Sequence, residues 1–143
     1  MKKRSFVNLM LCLILVTVMS VGCFGRTELD ESFNENDLIE LAETVLNEVH
    51  VNGVELVLNE RMREDYKETY PLEEMQDDFE SLRTGLGSFI DYTDTTVIGK
   101  NSPDEKNEPF AVVGITATYD KGELIFMLTF DTDKNVVGFY VKK

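Results

Sequence analysis

The chain contains one histidine, His50, and imidazole is both a common metal ligand and a common proton acceptor in catalysis. A zinc site at His50 would need three carboxylates, because no cysteine is expected in the folded domain, and that ligand set is unusual. No Gly-x-Ser-x-Gly motif indicates a serine triad. His50 ends the first predicted helix, where an imidazole is electrostatically favourable. We therefore predict a structural role for it.

A second candidate is the run of Asp131, Asp133 and Asn135, whose spacing opens a calcium-binding loop. The match ends there, because the sixth position is Val136 instead of glycine and the twelfth is Lys142 instead of glutamate. Asp and Asn tolerate left-handed backbone geometry, so the pattern favours a hairpin turn. We expect neither a metal nor a cofactor.

The third candidate is the thiol of Cys23, which follows an N-terminal apolar segment. Three basic residues, 2–4, precede an apolar stretch from Phe6 to Val21, and Gly22-Cys23 comes next. The stretch of about 16 residues is shorter than the roughly 20 that a membrane-spanning helix needs. Residues 1–22 therefore predict a secretory signal that is cleaved before Cys23. Ordinary signal cleavage and an uncleaved anchor are the alternatives.

The sequence Ser20-Val21-Gly22-Cys23 resembles the bacterial lipobox, in which the cysteine is diacylated on its sulfur and becomes the new N-terminus. The resemblance implies a lipoprotein anchored through Cys23, with palmitate-type chains, on the extracytoplasmic face of the cell membrane. Cys12 lies in the segment that would be removed. No thiol would then remain for a disulfide, and the domain must depend on its own core.

The charge of the chain excludes one large class of partner. Loss of residues 1–22 removes three of the 14 basic residues, which leaves 11 against 27 acidic ones and a formal charge of −16. Such a surface repels nucleic acid phosphates and anionic headgroups, so we expect no nucleic acid partner and attachment to the membrane through the lipid alone.

Helical periodicity organises the first half of the mature chain. Residues 23–35 show no apolar period and predict a flexible tether, so the domain is expected to cover residues 36–143. Three helices are predicted: from Asn36 or Asp37 to Asn52, from Val54 to about Tyr66, and from Pro71 to Leu86. Gly85 and Gly87 stand where the end of a helix usually requires a left-handed residue.

After Gly87 the apolar period becomes two, which is typical of strands. Four strands are predicted, at 89–98, 110–119, 123–130 and 136–141. Val137, Phe139 and Val141 are expected to face inward on the last one. Short turns between the strands imply an antiparallel meander, and helices followed by such a sheet predict an α+β domain.

Three helices before a curved four-stranded meander resemble the nuclear transport factor 2-like fold, also called cystatin-like, in which the sheet wraps around the first helix as a cone. The step from Leu86 to Phe89 and the hairpin from Thr129 to Phe139 are similar to those of small secreted domains of this class. The resemblance implies a cone that can hold a ligand, and its candidate lining is Tyr92, Tyr119, Phe126 and Phe139.

Some enzymes of that superfamily use an aspartate base with a tyrosine donor inside the cone, and Asp91 and Asp94 lie near Tyr92 in this chain. Alternation places Asp94, but not Asp91, on the same face as Tyr92. Threonines flank Asp94, which favours a solvated strand end over a buried base. We therefore predict a non-enzymatic domain, and the alternative is a small isomerase- or hydratase-like enzyme.

The expected function is binding of a protein partner or a small apolar ligand at the cell envelope. Domains of the resembled class commonly dimerise through the open face of the sheet, and Ile125, Met127 and Val136 are the residues predicted for such a homodimer. Engagement of a cationic partner by the acidic helices is a further possibility, which strong salt dependence would reveal.

Overall fold

The computed structural model of the chain describes residues 28–143, and the predicted signal segment and Cys23 lie outside the described residues. Helix α1 spans Glu35–Asn52, and the Asn34 side chain caps it by accepting a hydrogen bond from the Asp37 backbone N–H at 3.1 Å. Leu29 and Phe33 pack against the core. The folded part therefore starts before the predicted boundary at Asn36.

The prediction of a single second helix from Val54 to Tyr66 is wrong. Helix α2 spans Val54–Arg61 and the short helix α3 spans Glu64–Lys67, so four helices, instead of three, are present among the described residues. Met62 breaks the pattern because its extended backbone forms a parallel bridge to Val136, and the Arg63 N–H donates to the Val136 carbonyl at 2.9 Å. This pairing satisfies backbone groups at the edge of the sheet.

Helix α4 spans Leu72–Arg83, and its apolar face buries Phe79 completely. The expectation of left-handed residues after it is confirmed, since Gly85 and Gly87 have φ angles of +80° and +81°. A Cβ on Gly87 would lie 2.6 Å from a carboxylate oxygen of Asp120, so glycine is required there for space as well.

The four predicted strands are confirmed as one open antiparallel sheet in the order β1-β2-β3-β4. The strands span Phe89–Asn101, Pro109–Tyr119, Gly122–Phe130 and Val136–Lys142. The inner face of the sheet packs against the helices, and its core includes Ile115, Phe126 and Phe130, all with no exposed surface. The outer face carries the alternate residues.

Three bulges change which side chains face inward, and the first involves β4. The pairing passes from Thr129–Gly138 to Phe130–Val136 and leaves Val137 without a partner on β3. Val136 therefore lies opposite Phe130 in the core and is fully buried. The prediction that Val136 belongs to the outer row with Ile125 and Met127 is wrong, because the bulge shifts the alternation by one residue.

The other two bulges lie in β1, and the earlier one leaves Ile90 without a partner between the pairs Phe89–Tyr119 and Asp91–Thr118. Thr93 pairs with Thr116 and Thr95 pairs with Ile115, so Asp94 is the extra residue, with a φ angle of +42°.

None of the helices within residues 28–143 is both long enough and apolar enough to cross a bilayer.

Candidate functional site

The histidine cluster, formed by Asn47, His50, Phe89, Tyr92 and Tyr119, joins the end of α1 to the first two strands. The His50 Nδ1 atom lies 2.7 Å from the Leu46 carbonyl oxygen, one helical turn earlier. A carbonyl can only accept, so Nδ1 carries the hydrogen. The Nε2 atom lies 2.5 Å from the Tyr119 hydroxyl and accepts a hydrogen bond from it. The geometry therefore selects the neutral Nδ1–H tautomer.

Tyr92 completes the polar part of the histidine cluster. Its hydroxyl donates to Asn47 Oδ1 at 2.8 Å and lies 3.5 Å from His50 Nδ1. Phe89 stacks on both neighbours, with ring centroids 4.7 Å from His50 and 4.7 Å from Tyr92. Aromatic packing and hydrogen bonds thus hold the imidazole in one orientation.

Burial favours the neutral forms of the three titratable groups of this cluster. It lowers the pKa of His50, and the nearby positive charge of Arg83 lowers it further, against the bond to the Leu46 carbonyl. Burial raises the pKa of Tyr119 to about 12 and also raises the pKa of Tyr92. Tyr119 is only 2% exposed. Both imidazole nitrogens are hydrogen-bonded, and the Tyr119 hydroxyl is buried away from solvent. The cluster therefore holds α1 against the sheet.

The candidate carboxylates do not join this cluster. Asp94 is exposed at the β1 bulge, and Thr95 takes the inward place opposite Ile115. Strict alternation therefore does not describe Asp94, and its carboxylate is exposed instead of buried beside Tyr92. Asp91 is exposed and accepts a hydrogen bond from the Tyr92 backbone N–H at 2.8 Å. Neither carboxylate bonds to a tyrosine hydroxyl.

The four residues predicted to line a cone face the helices. Tyr119, Phe126 and Phe139 are buried and Tyr92 is half-buried. The Phe126 ring lies 6.0 Å from Phe79 and 6.1 Å from Phe139. These side chains fill the space between sheet and helices with hydrophobic contacts. Residues 28–143 hold no group of three or more histidine, cysteine or acidic residues placed to bind a metal ion.

Asp131 forms the predicted hairpin turn. Its Oδ1 accepts hydrogen bonds from the backbone N–H groups of Asp133 and Asn135 at 3.0 and 2.8 Å. The left-handed residue of the turn is Lys134, with a φ angle of +66°, and not an Asp or Asn. The carboxylate of Asp131 is thus engaged in stabilising the turn.

The outer face of the sheet is open in the middle. Two depressions, with volumes of about 400 and 160 Å³, share Ile98, Val112 and Met127 in their lining. We call the joined depressions the outer groove. Gly114 lines the smaller part, where the missing side chain leaves room. Gly138 lines the larger part, but the Thr129 side chain and the Tyr70 hydroxyl lie against it. Sequence alternation predicted only part of this surface, because the groove depends on cross-strand neighbours.

Side chains from two parts of the chain form the margins of the outer groove. Tyr140 on β4 is 57% exposed, and Tyr70 from the segment after α3 lines the larger depression. Lys100 lines the larger depression and Lys142 the smaller one. A separate depression of about 540 Å³ lies among the helices, but its lining is mainly polar helix surface, including Asn52, Glu55 and Gln76.

Comparison with known proteins identifies a family and a fold. Residues 42–139 match the model of a family described as "Protein of unknown function (DUF3887)". A solved structure, described as the NMR structure of a protein from Ruminococcus gnavus ATCC 29149, is similar with a TM-score of 0.69 and 23% identity. The similarity covers 80% of this chain and 96% of that one. No curated protein matches the chain. The family model matches more than half of the sequence, so the chain belongs to the DUF3887 family.

Proposed function

We propose that the protein is a lipid-anchored, extracytoplasmic binding module without enzymatic activity, and that its binding surface is the outer groove. The observation that carries this proposal is the contrast between the two faces of the sheet. The inner face is filled by buried side chains, whereas the outer face exposes apolar groups such as Met127, which is 37% exposed. Exposed apolar patches in a depression are typical of binding sites.

The anchor is proposed from the sequence, through the segment that ends in Gly22-Cys23. Because Leu29 packs against the core, only residues 24–28 separate the acylated Cys23 from the domain. Five extended residues reach at most about 18 Å. The domain would therefore work close to the outer surface of the membrane.

The finer fold assignment, a nuclear transport factor 2-like cone, belongs to the same proposal. Helices followed by an antiparallel meander support it, as does the β1 bulge at Asp94, since bulges bend long strands. The partners proposed are a protein or a small apolar ligand. A second copy of the chain, through a face that includes Ile125 and Met127, is the alternative occupant of this surface.

The alternative function is an isomerase- or hydratase-like enzyme. One feature of the histidine cluster supports it, since the cluster brings an imidazole and two tyrosines together. An enzyme of this kind needs a carboxylate or imidazole free to take a proton from the substrate. Both His50 nitrogens are bonded, and Asp94 is exposed outside the cluster. We therefore prefer the binding function.

The proposal is tested in two steps. Mass spectrometry of the protein from the native membrane should find a diacylated Cys23 at the N-terminus, and recovery of an intact leader would refute the anchor. The second step compares the chain, Met127→Glu and the control Val51→Glu, whose wild-type side chain is 82% exposed on α1. A protein or apolar ligand that co-purifies should be retained by the control and lost by Met127→Glu. Equal retention by both variants would refute the outer groove as the binding surface.

A further inference from the structure

We propose that the outer groove binds the acyl chain of a free long-chain fatty acid, with its carboxylate neutralised by a groove lysine. This inference rests on the proposed function and names the class of ligand. It follows from three features of the groove: the state of its backbone groups, the shape of its floor and the sign of its charges.

The backbone under the middle of the groove, on the central strands β2 and β3, has no hydrogen bonds to offer. Gly114 lies on β2, which pairs with β1 on one side and β3 on the other, so its strand is saturated. A peptide lying across this surface would bury N–H and C=O groups without partners, which is costly. An acyl chain carries no such groups and loses nothing by lying on a saturated sheet. The groove therefore selects an apolar chain over a peptide.

The shape of the floor disfavours a second copy of the domain. Gly114 places no side chain on the floor of the smaller depression, whereas the Tyr70 and Tyr140 side chains line the larger one. Two such faces placed against each other would enclose unfilled volume, and protein interfaces at their centres are packed as densely as interiors. A flexible chain fills a depression of this kind more completely. The volume of the larger part, about 400 Å³, lies within the range of small-molecule sites.

The charges that line the groove are positive, although the whole chain has a formal charge of −13. Lys100 and Lys142 are the charged residues of the lining, and neither forms an ion pair with a residue in the described range 28–143. Glu108 and Asp131 lie near the Lys100 end, but Arg63 binds both. The lysines therefore remain available for an anion.

The spacing of the two lysines suits an extended molecule. Lys100 lies on β1 in the row of Phe110, and Lys142 lies on β4 in the row of Ile125, with two rows between them. Six residues along the strands and three strands across correspond to a diagonal of roughly 25 Å. A long acyl chain can follow this diagonal with its carboxylate beside either lysine.

The test titrates the domain, residues 24–143, with palmitate and with monopalmitin, which has the same chain and no charge. Circular dichroism first verifies that this fragment and every variant fold. Methyl NMR follows Met127 in the groove and Met62 in the core. We expect micromolar binding of palmitate with shifts at Met127 and little change at Met62, which is 3% exposed. Absence of shifts at Met127 would overturn the proposal.

Two pairs of variants separate the apolar and charged contributions. Gly114→Val fills the floor without a backbone clash, since a Cβ there meets only the Thr96 carbonyl at 3.9 Å. Gly114→Val should lower the affinity for both ligands at least tenfold. The control Thr118→Val, on the same strand outside the groove, should not change it. Replacing Lys100 and Lys142 together by Gln should lower the affinity for palmitate about fivefold and leave the affinity for monopalmitin unchanged. Lys121→Gln is the control for charge.

The remaining outcomes decide against the fatty acid in distinguishable ways. Binding to phosphatidylglycerol vesicles without binding of palmitate would overturn the proposal in favour of a lipid surface. A dimer that Met127→Glu dissociates, together with no palmitate binding, would overturn it in favour of a second copy. In both cases the outer groove would stay the binding surface, and only the ligand class would be wrong. If Met127 is also irrelevant to every partner, the proposed function itself falls.

Discussion

Replacement of Arg63 by alanine should destabilise the domain far more than the same replacement at Arg61, two residues earlier. The Arg63 guanidinium binds three carboxylates: Asp65 at 2.8 Å, Glu108 at 2.8 Å and Asp131 at 3.3 Å. It thereby joins the segment after α2 to the loop before β2 and to the β3–β4 turn. The Arg63 side chain is 22% exposed and that of Asp131 only 4%. Arg61 pairs with Glu48 alone, with both side chains 34% exposed.

The size of the Arg63 effect can be worked out from its contacts. The guanidinium lies 5.0 Å from the Tyr66 ring centroid and 5.8 Å from that of Phe110, and each such contact contributes about 0.5–1 kcal/mol. Loss of the cation leaves the Asp131 carboxylate buried, although three donors from Asp133 and Asn135 still bond to it. We expect a total loss of about 2–4 kcal/mol, below the full penalty for an unpaired buried charge. The exposed pair of Arg61 should contribute about 0.5–1 kcal/mol.

Urea unfolding followed by circular dichroism measures the difference. With an m value of about 2 kcal/mol per M, Arg63→Ala should lower the midpoint by about 1–2 M and Arg61→Ala by less than about 0.5 M. Arg63→Lys should fall between them, because lysine keeps the charge but loses the planar fork and the stacking. If Arg63→Ala and Arg61→Ala shift the midpoint equally, the reasoning from the three-carboxylate network is refuted.

Three further predictions concern the histidine cluster, the core and the turn after α4. Since burial lowers the pKa of His50 below its ordinary 6.5, its contribution to stability is full above pH 6.5 and is lost as pH falls through the pKa of the folded state. The urea concentration at half unfolding should therefore decrease as the pH is lowered from 7 to 5, and His50→Gln should make this decrease smaller. An equal decrease in His50→Gln would contradict the prediction. Phe126→Ala should cost about 3–5 kcal/mol in chemical unfolding, because the ring is fully buried, and a loss below about 1 kcal/mol would mean that the core is not packed as described. Gly87→Ala should lower the melting temperature more than Gly85→Ala. Both glycines have a positive φ, but only a Cβ on Gly87 would contact Asp120. Equal losses would show that this contact does not matter.

Several features could be predicted from the sequence because they depend on neighbours along the chain. The helical period from Leu72 to Leu82 and the alternation from Leu124 to Phe130 each reflect one repeating backbone geometry. The left-handed glycines after α4 follow from local sterics in the same way. Helices before an antiparallel meander, and hence the α+β class, could therefore be predicted. The proposed anchor at Cys23 rests on a local pattern too, and it stays a prediction.

Other features were decided only in the tertiary structure, because they depend on which distant residue becomes a neighbour. The hydrogen bond between His50 and Tyr119 joins residues 69 positions apart, so the helix-end interpretation of His50 identified its place and missed its partner. Met62 leaves the helical path because the edge of β4 offers a backbone partner at Val136. The bulges at Asp94 and Val137 turn side chains to faces that strict alternation does not predict.

The outer groove shows the same division. Period two along each strand indicated that Ile125 and Met127 share a face, but a depression requires Ile98, Val112 and two glycines from other strands to meet them in register. A periodic pattern records the geometry of one segment of backbone. The register between segments is set by the packing of all of them together, and that information becomes visible only in the folded chain.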